Sequence, residues 1–263
     1  MNGCMERNHL YSLAIFVLIF TVFPFLLEKN SYWITIFIFV GIYSLVALGL
    51  CLLMGYAGQI SLGQGAFFGL GAYTSGLLTT QMNWNPWFAL LIALIGTSLI
   101  ALVIGIPVLR LSGHYLAMAT LAMGEIIGIA FMAEVDLTGG PSGFGSIPRL
   151  AIFGFVLKKD LAFYFFIWSV VAVVLGMALN LTQSRVGRAL RSIHGGEMAA
   201  NALGVNTASY KVQIFVLSAA LASLSGSLYA HYVTFVSPTA CDLKLSVFLM
   251  VMVAVGGMHS LWG

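Results

Sequence analysis

Charge is what this chain has least of. Asp, Glu, Lys and Arg make up 7% of 263 residues while hydrophobic residues make up 60%, against about a quarter charged in a soluble domain. That deficit excludes an ordinary water-soluble fold and points to a polytopic membrane protein. The net charge of +3 gives no reason to expect a nucleic-acid partner. Cysteine is scarce too. Cys4, Cys51 and Cys241 fall in segments expected inside, within and outside the membrane, so no disulfide framework is expected. The common chemical motifs are also missing. No Lys follows a Gly, which rules out a P-loop ending in Gly-Lys-Ser/Thr, and G-x-G-x-x-G, H-E-x-x-H, C-x-x-C and G-x-S-x-G do not occur. The chain is therefore expected to be non-catalytic, to hold no metal and to draw any energy input from a partner.

What the chain does have is apolar runs along nearly its whole length. They are read as one transmembrane domain over residues 1–263, an all-α helix bundle of about eight spans. Helices are expected near 10–27, 33–54, 65–80, 87–108, 114–133, 161–182, 211–233 and 244–257. The first run, Leu10 to Leu27, is kept as a span, because no A-x-A-like cleavage site follows and Glu28-Lys29-Asn30 leads into another apolar run. Trp33, Trp84, Trp87, Trp168 and Trp262 fall mostly near run ends and read as interfacial anchors.

The one long polar run is 184–211, where Arg185, Arg188, Arg191 and Lys211 gather around a single acid, Glu197. Basic excess beside apolar spans marks the cytoplasmic side, and counting outward places both termini there too. Arg110 and His114 agree with that orientation; Lys158 and Lys159, in the outer segment 134–160, do not. Within the basic loop, Glu197 to Leu203 reads as a short helix and Gly204 as its C-terminal glycine cap.

Glycine crowds into Gly55 to Leu78, so an interrupted helix is expected near residues 55–65. Backbone freed inside a membrane must be satisfied by protein or by a water-lined cavity, so Gln59, Ser61 and Gln64 are candidate lining of a translocation path. The competing reading is close packing of small residues, with the polar side chains bonded between helices. Glu125 lies well inside an apolar run, where a carboxylate costs roughly 3 kcal/mol on insertion scales. It is expected either to face a path or to clamp neighbouring helices. The outer segment DLTGGPSGFGSIPRL reads as consecutive turns and as a possible docking surface for an external partner. Ser218, Ala222, Gly226 and Ala230, four apart, form a packing ridge, and His231 beyond them reads as a satisfied or interfacial residue.

Four of these segments together resemble the permease subunits of ATP-binding-cassette importers for branched-chain amino acids, in their LivM-like branch. GYAGQISLGQGAFFGLGAYT is similar to that branch's glycine-rich signature, and GHYLAMATLAMGEI to its G-x-Y-x-A-x-x-T-L segment with a following acid. LTGGPSGFGSIP resembles the outer T-G-G segment, and RALRSIHGGEMAANALGVNTASYK the coupling loop. The resemblance implies a helix with an E-A-A-x-x-x-G-like pattern that docks in a groove of the ATPase, here Glu197, Ala199, Ala200 and Gly204 with Arg188 and Arg191 flanking. It adds Tyr115 and Thr120 to Gln59, Ser61, Gln64 and Glu125 as candidate path residues.

The implied machine holds ABC ATPase subunits, a second homologous permease subunit and an extracytoplasmic solute-binding protein in the lipid of a bacterial-type cytoplasmic (inner) membrane. ATP and Mg would sit on the partner ATPase, with no cofactor on this chain. The same segments suit a machine for urea or short amides. A stand-alone ion-coupled secondary transporter is the reading from another class, and the scarcity of intramembrane charge argues against it. AVGGMHSLWG reaches Gly263 where the family's G-G-x-x-S-x-x-G segment continues into apolar sequence, and Leu245 to Val255 alone is short for a span, so a final helix is missing by that comparison: either this copy is truncated or the last half-helix is enough in its assembly.

Overall fold

The computed structural model describes residues 20–21, 23–24, 31–152, 155–156, 159–258 and 260–262. Its elements are α1 (Ser31–Cys51), which runs on into a π-helical turn (Leu52–Tyr56), then α2 (Gln64–Thr80), α3 (Pro86–Val108), α4 (His114–Ala133) and the single turn α5 (Val135–Thr138). There follow α6 (Asp160–Gln183), α7 (Arg185–Gly195), α8 (Glu197–Ala202), α9 (Thr207–Val233) and α10 (Leu243–Gly256). Among the described residues six helices are long and apolar enough to cross a membrane. α2, at 17 residues, is a seventh long apolar helix and is largely buried. The expected span at 10–27 lies almost wholly outside the described residues, and the other seven expected spans each have their helix among the described ones.

The bundle is organised around α9, and its small side chains explain why. A Cβ added to Gly226 would collide with the Phe68 carbonyl, and one added to Gly71 would collide with the Ser223 backbone, so α2 and α9 meet backbone to backbone. Serines then bind α9 to three different helices. Ser223 Oγ donates to Ala93 O of α3 at 3.1 Å, Ser225 Oγ to Ile42 O of α1 at 2.6 Å, and Ser227 Oγ to Gly71 O of α2 at 3.0 Å. In hydrocarbon, where apolar contact alone does not favour helix over lipid, such close approach and hydroxyl bonding is what draws helices together.

At the end of the bundle away from the basic loop, the described residues between 134 and 159 form a strap. Two short antiparallel strand pairs shape it: β1 (Phe144–Gly145) with β4 (Phe235–Val236), and β2 (Ala151–Ile152) with β3 (Phe155–Val156). Phe144 and Ile147 press onto Gly76 of α2, and Trp87 Nε1 donates to Ala151 O at 2.7 Å. Trp33, Trp84 and Trp262 are exposed, as anchors should be. Trp168 is not an anchor; it is buried within α6 and stacked on Phe20 at 3.5 Å. Cys241 is buried against Gly69 of α2, and both it and Cys51 are free thiols.

Candidate functional site

The helix interruption falls where the glycines placed it. After the π-helical turn the chain unwinds over Ala57–Gly63 and resumes as α2. Gly58 takes φ +67°, a left-handed conformation open to glycine at little cost, and a Cβ there would lie 2.9 Å from Nδ1 of His194 in α7. The freed amides are satisfied by hydroxyls from distant helices: Leu62 N donates to Thr120 Oγ1 of α4 at 3.0 Å, and Gly65 N to Ser246 Oγ of α10 at 2.9 Å. Gln64 Nε2 donates to Ser218 Oγ of α9 at 3.0 Å. Thr120 is six residues into α4, so this junction lies about 9 Å along that helix from its basic-loop end.

The six expected path residues therefore divide into two sets. Gln59, Ser61, Gln64 and Thr120 are buried around the junction. Tyr115 and Glu125 stand on the outward face of α4 instead, with Met118, Ile126 and Ile129 beside them. Both amide atoms of Gln59, and Oε1 of Gln64, are buried without a hydrogen-bond partner. Each such group costs about 1–3 kcal/mol relative to a paired one. A cavity of about 260 Å³ is present, but it lies between α1, α6 and the end of α10, around Val40, Ala47, Cys51, Trp168, Val171 and Val253. The junction residues do not line it.

Glu125 has no hydrogen bond or ion pair with any described residue, so within the described chain it clamps nothing. It sits near the middle of α4, about 16 Å from one end and 12 Å from the other. A carboxylate left facing lipid there bears the roughly 3 kcal/mol cost of exposure to hydrocarbon.

The basic loop folds into two helices. Ser184 caps α7, its Oγ accepting from Val186 N at 3.2 Å, and Leu190 and Ile193 bury one face while Arg185 and Arg188 stay exposed. Arg191 bends back to donate to Thr182 O at 2.5 Å and Gly187 O at 3.3 Å, so its charge sits on the C-terminal carbonyls of α6. α8 is a finger braced by several bonds. Ala200 is buried beneath it, Glu197 pairs with Lys211 at the start of α9, and Thr207 Oγ1 donates to Asn201 Oδ1 at 3.0 Å. Gly204, at φ +84°, closes the helix, with Val205 N bonded back to Ala200 O at 3.0 Å. The solvent side carries Ala199, Met198 and Leu203, the last two 88% and 83% exposed. Glu197 thus holds the finger in place from within, and Leu203, with Met198, which the sequence reading did not single out, forms its tip.

His231, read from the sequence as satisfied or interfacial, is satisfied, by partners that the sequence did not name. It is fully buried, with Nδ1 2.7 Å from Pro148 O and Nε2 2.8 Å from Ser75 Oγ. A carbonyl only accepts, so Nδ1 carries the proton and Nε2 accepts from the serine. One ring thereby ties α9, α2 and the strap.

A helical bundle held by small residues, with a broken helix at its centre and a braced finger at its basic end, defines a multi-pass membrane protein of the transport class. The family model for the branched-chain amino acid transport system permease component matches residues 32–263, and the chain belongs to that family. It is 30% identical over 283 residues to the high-affinity branched-chain amino acid transport system permease protein LivM of Salmonella typhimurium, covering 99% of this chain and 66% of that one. It is 31% identical, with the same coverage, to LivM of Escherichia coli. The permease protein LivH of Salmonella typhimurium is 24% identical over 74% of this chain and 68% of its own. The chain thus spans about two thirds of the length of these LivM relatives. No solved structure matches it.

Proposed function

We propose that this chain is the transmembrane permease subunit of an ATP-driven importer that moves branched-chain amino acids by alternating access. It contributes no catalytic residue. A separate pair of ABC ATPase subunits holds ATP and Mg and hydrolyses the ATP, a second homologous permease completes the path, and an extracytoplasmic solute-binding protein delivers the cargo. The basic loop and both termini face the cytoplasm of a bacterial-type cell, across its inner membrane.

The observation that carries this reading is the finger. Two large apolar side chains, Met198 and Leu203, are held out on a helix braced by Ala200 and the Glu197–Lys211 pair, and exposed apolar groups on a braced mount call for a protein groove. Arg188 and Arg191 beside it steer acidic partners. A push on α8 passes into α7, whose Gly187 abuts Thr182 of α6 and whose His194 abuts Gly58. Movement of the loop is thereby delivered to the unwound segment around Gln59, Ser61, Gln64 and Thr120.

The test is uptake in proteoliposomes holding both permeases, the ATPase pair and the solute-binding protein. Leucine uptake should require ATP hydrolysis. Uptake that persists without ATPase subunits and follows an ion gradient would overturn the importer reading, and transport of urea in place of leucine would overturn the cargo. In the same system Leu203→Asp should abolish ATPase association while insertion is kept.

A further inference from the structure

We propose that Glu125 is the cargo-recognising carboxylate of this permease, receiving the positively charged ammonium of the solute in a path closed on its open side by the second permease subunit. This rests on the importer reading above and adds to it the charge of the cargo.

Two exposed helix faces give the contrast. The open face of α3 carries Phe88, Leu91, Ile95, Leu99, Val103 and Ile106, all apolar, and suits lipid without modification. The open face of α4 is built differently. Tyr115, Met118, Glu125, Ile126 and Ile129 recur at helical spacing, with a full carboxylate in the midst of the row and with Gly128 meeting nothing within 4 Å. Only 17% of the most apolar window of α4 is buried, the smallest share of the six candidate spans. Lipid is the wrong neighbour for such a face. Among the described residues Glu125 meets no cation, and a carboxylate at this depth calls for a partner or a polar path.

Its position fits a path. The next residue back, Gly124, faces Gly63 and the Leu62 carbonyl, so Glu125 emerges beside the unwound segment, near the place where α2 restarts. That segment and the start of α2 hold the unpartnered amide of Gln59 and Oε1 of Gln64, both more than nine-tenths buried, while the Glu125 side chain stands on the outward face of α4. A carboxylate selects a molecule with an ammonium group and gives no advantage to a neutral amide. The cargo that suits Glu125 is therefore an amino acid.

The experiment uses the complete reconstituted transporter with radiolabelled leucine, comparing wild type with Glu125→Gln and Glu125→Asp, and reads uptake and ATP hydrolysis in parallel. Glu125→Gln should lower leucine uptake about tenfold or more while complex recovery and ATP hydrolysis stay within about twofold, and Glu125→Asp should restore part of the uptake. In a second arm Met118→Cys and Ile129→Cys should cross-link to the second permease and resist a lipid-phase label. Wild-type uptake that Glu125→Gln leaves unchanged overturns the proposal, and so does lipid-phase labelling of both cysteines without cross-linking. Loss of complex recovery with Glu125→Gln and Glu125→Asp alike would show a structural residue and overturn it as well. Failure of wild type itself to move leucine with ATP counts against the importer reading instead, so the two failures are separable.

Discussion

α9 and α4 use their surfaces in opposite ways. α9 has the lowest mean hydropathy of the six candidate spans, yet 56% of its most apolar window is buried; α4 is more apolar, and 17% of its window is buried. In water that order would be reversed, because burial there follows apolar area. In a bilayer lipid is as oily as any helix, so burial follows what lets backbones touch: Gly226 and Gly71, with three serines donating to neighbouring carbonyls. α4 lacks such a surface over most of its turns and stays open.

The sharpest way to break this comparison is to enlarge one glycine on each helix. Gly226→Leu drives a side chain into the Phe68 carbonyl and should cost more than about 3 kcal/mol, read as loss of the folded form in a detergent thermal-shift measurement. Gly128→Leu, with open space around it, should leave the stability of this chain unchanged. Equal tolerance at both sites would mean that α9 is not the hub. Next in size is His231→Ala, which leaves the Pro148 carbonyl and the Ser75 hydroxyl without their partner at a cost of about 2–3 kcal/mol. It should show as faster proteolysis of the 134–159 strap.

Lys211→Met removes the partner of Glu197. Lys211 is 9% exposed and Glu197 41%, so solvent screening holds the expected loss to about 1 kcal/mol. Hydrogen exchange should quicken in α8 with membrane insertion unchanged. Ser225→Ala, which deletes one hydroxyl bond to Ile42 O, should be the mildest, about 0.6 kcal/mol, and a thermal shift larger than that of His231→Ala would contradict the ranking.

Helix positions were legible in the sequence because they depend on run length alone. The expected 87–108 and 114–133 agree with Pro86–Val108 and His114–Ala133 to within a residue. The broken helix was legible because glycine density acts locally, and the Gly204 cap for the same reason. The family was legible too, from four separated motifs. Long-range placement was not. His231 meets Ser75 and Pro148 across large stretches of chain, and nothing near it in sequence announces them. Trp168 looked like an anchor because tryptophan favours interfaces, but its stacking on Phe20 overrode that preference. Which of the six polar candidates are buried was not legible: residue type pointed to polar groups in the membrane, while the rotation of α4, which buries Thr120 and leaves Tyr115 and Glu125 on its outward face, is set by packing. Cys4, Lys158 and His259 lie outside the described residues.

The stretch Ala57–Gly63 has a mechanical consequence. A continuous helix carries thrust along its axis like a rod, but here the rod is cut, and the cut ends are moored to α4 and α10 by single hydroxyls on Thr120 and Ser246. Such moorings are single bonds that water can replace, so the joint between α1 and α2 is the weakest link along that axis, while α9 holds both helices through Ser225 and Ser227. Gly58, lying against His194 of α7, puts that joint in contact with the basic loop.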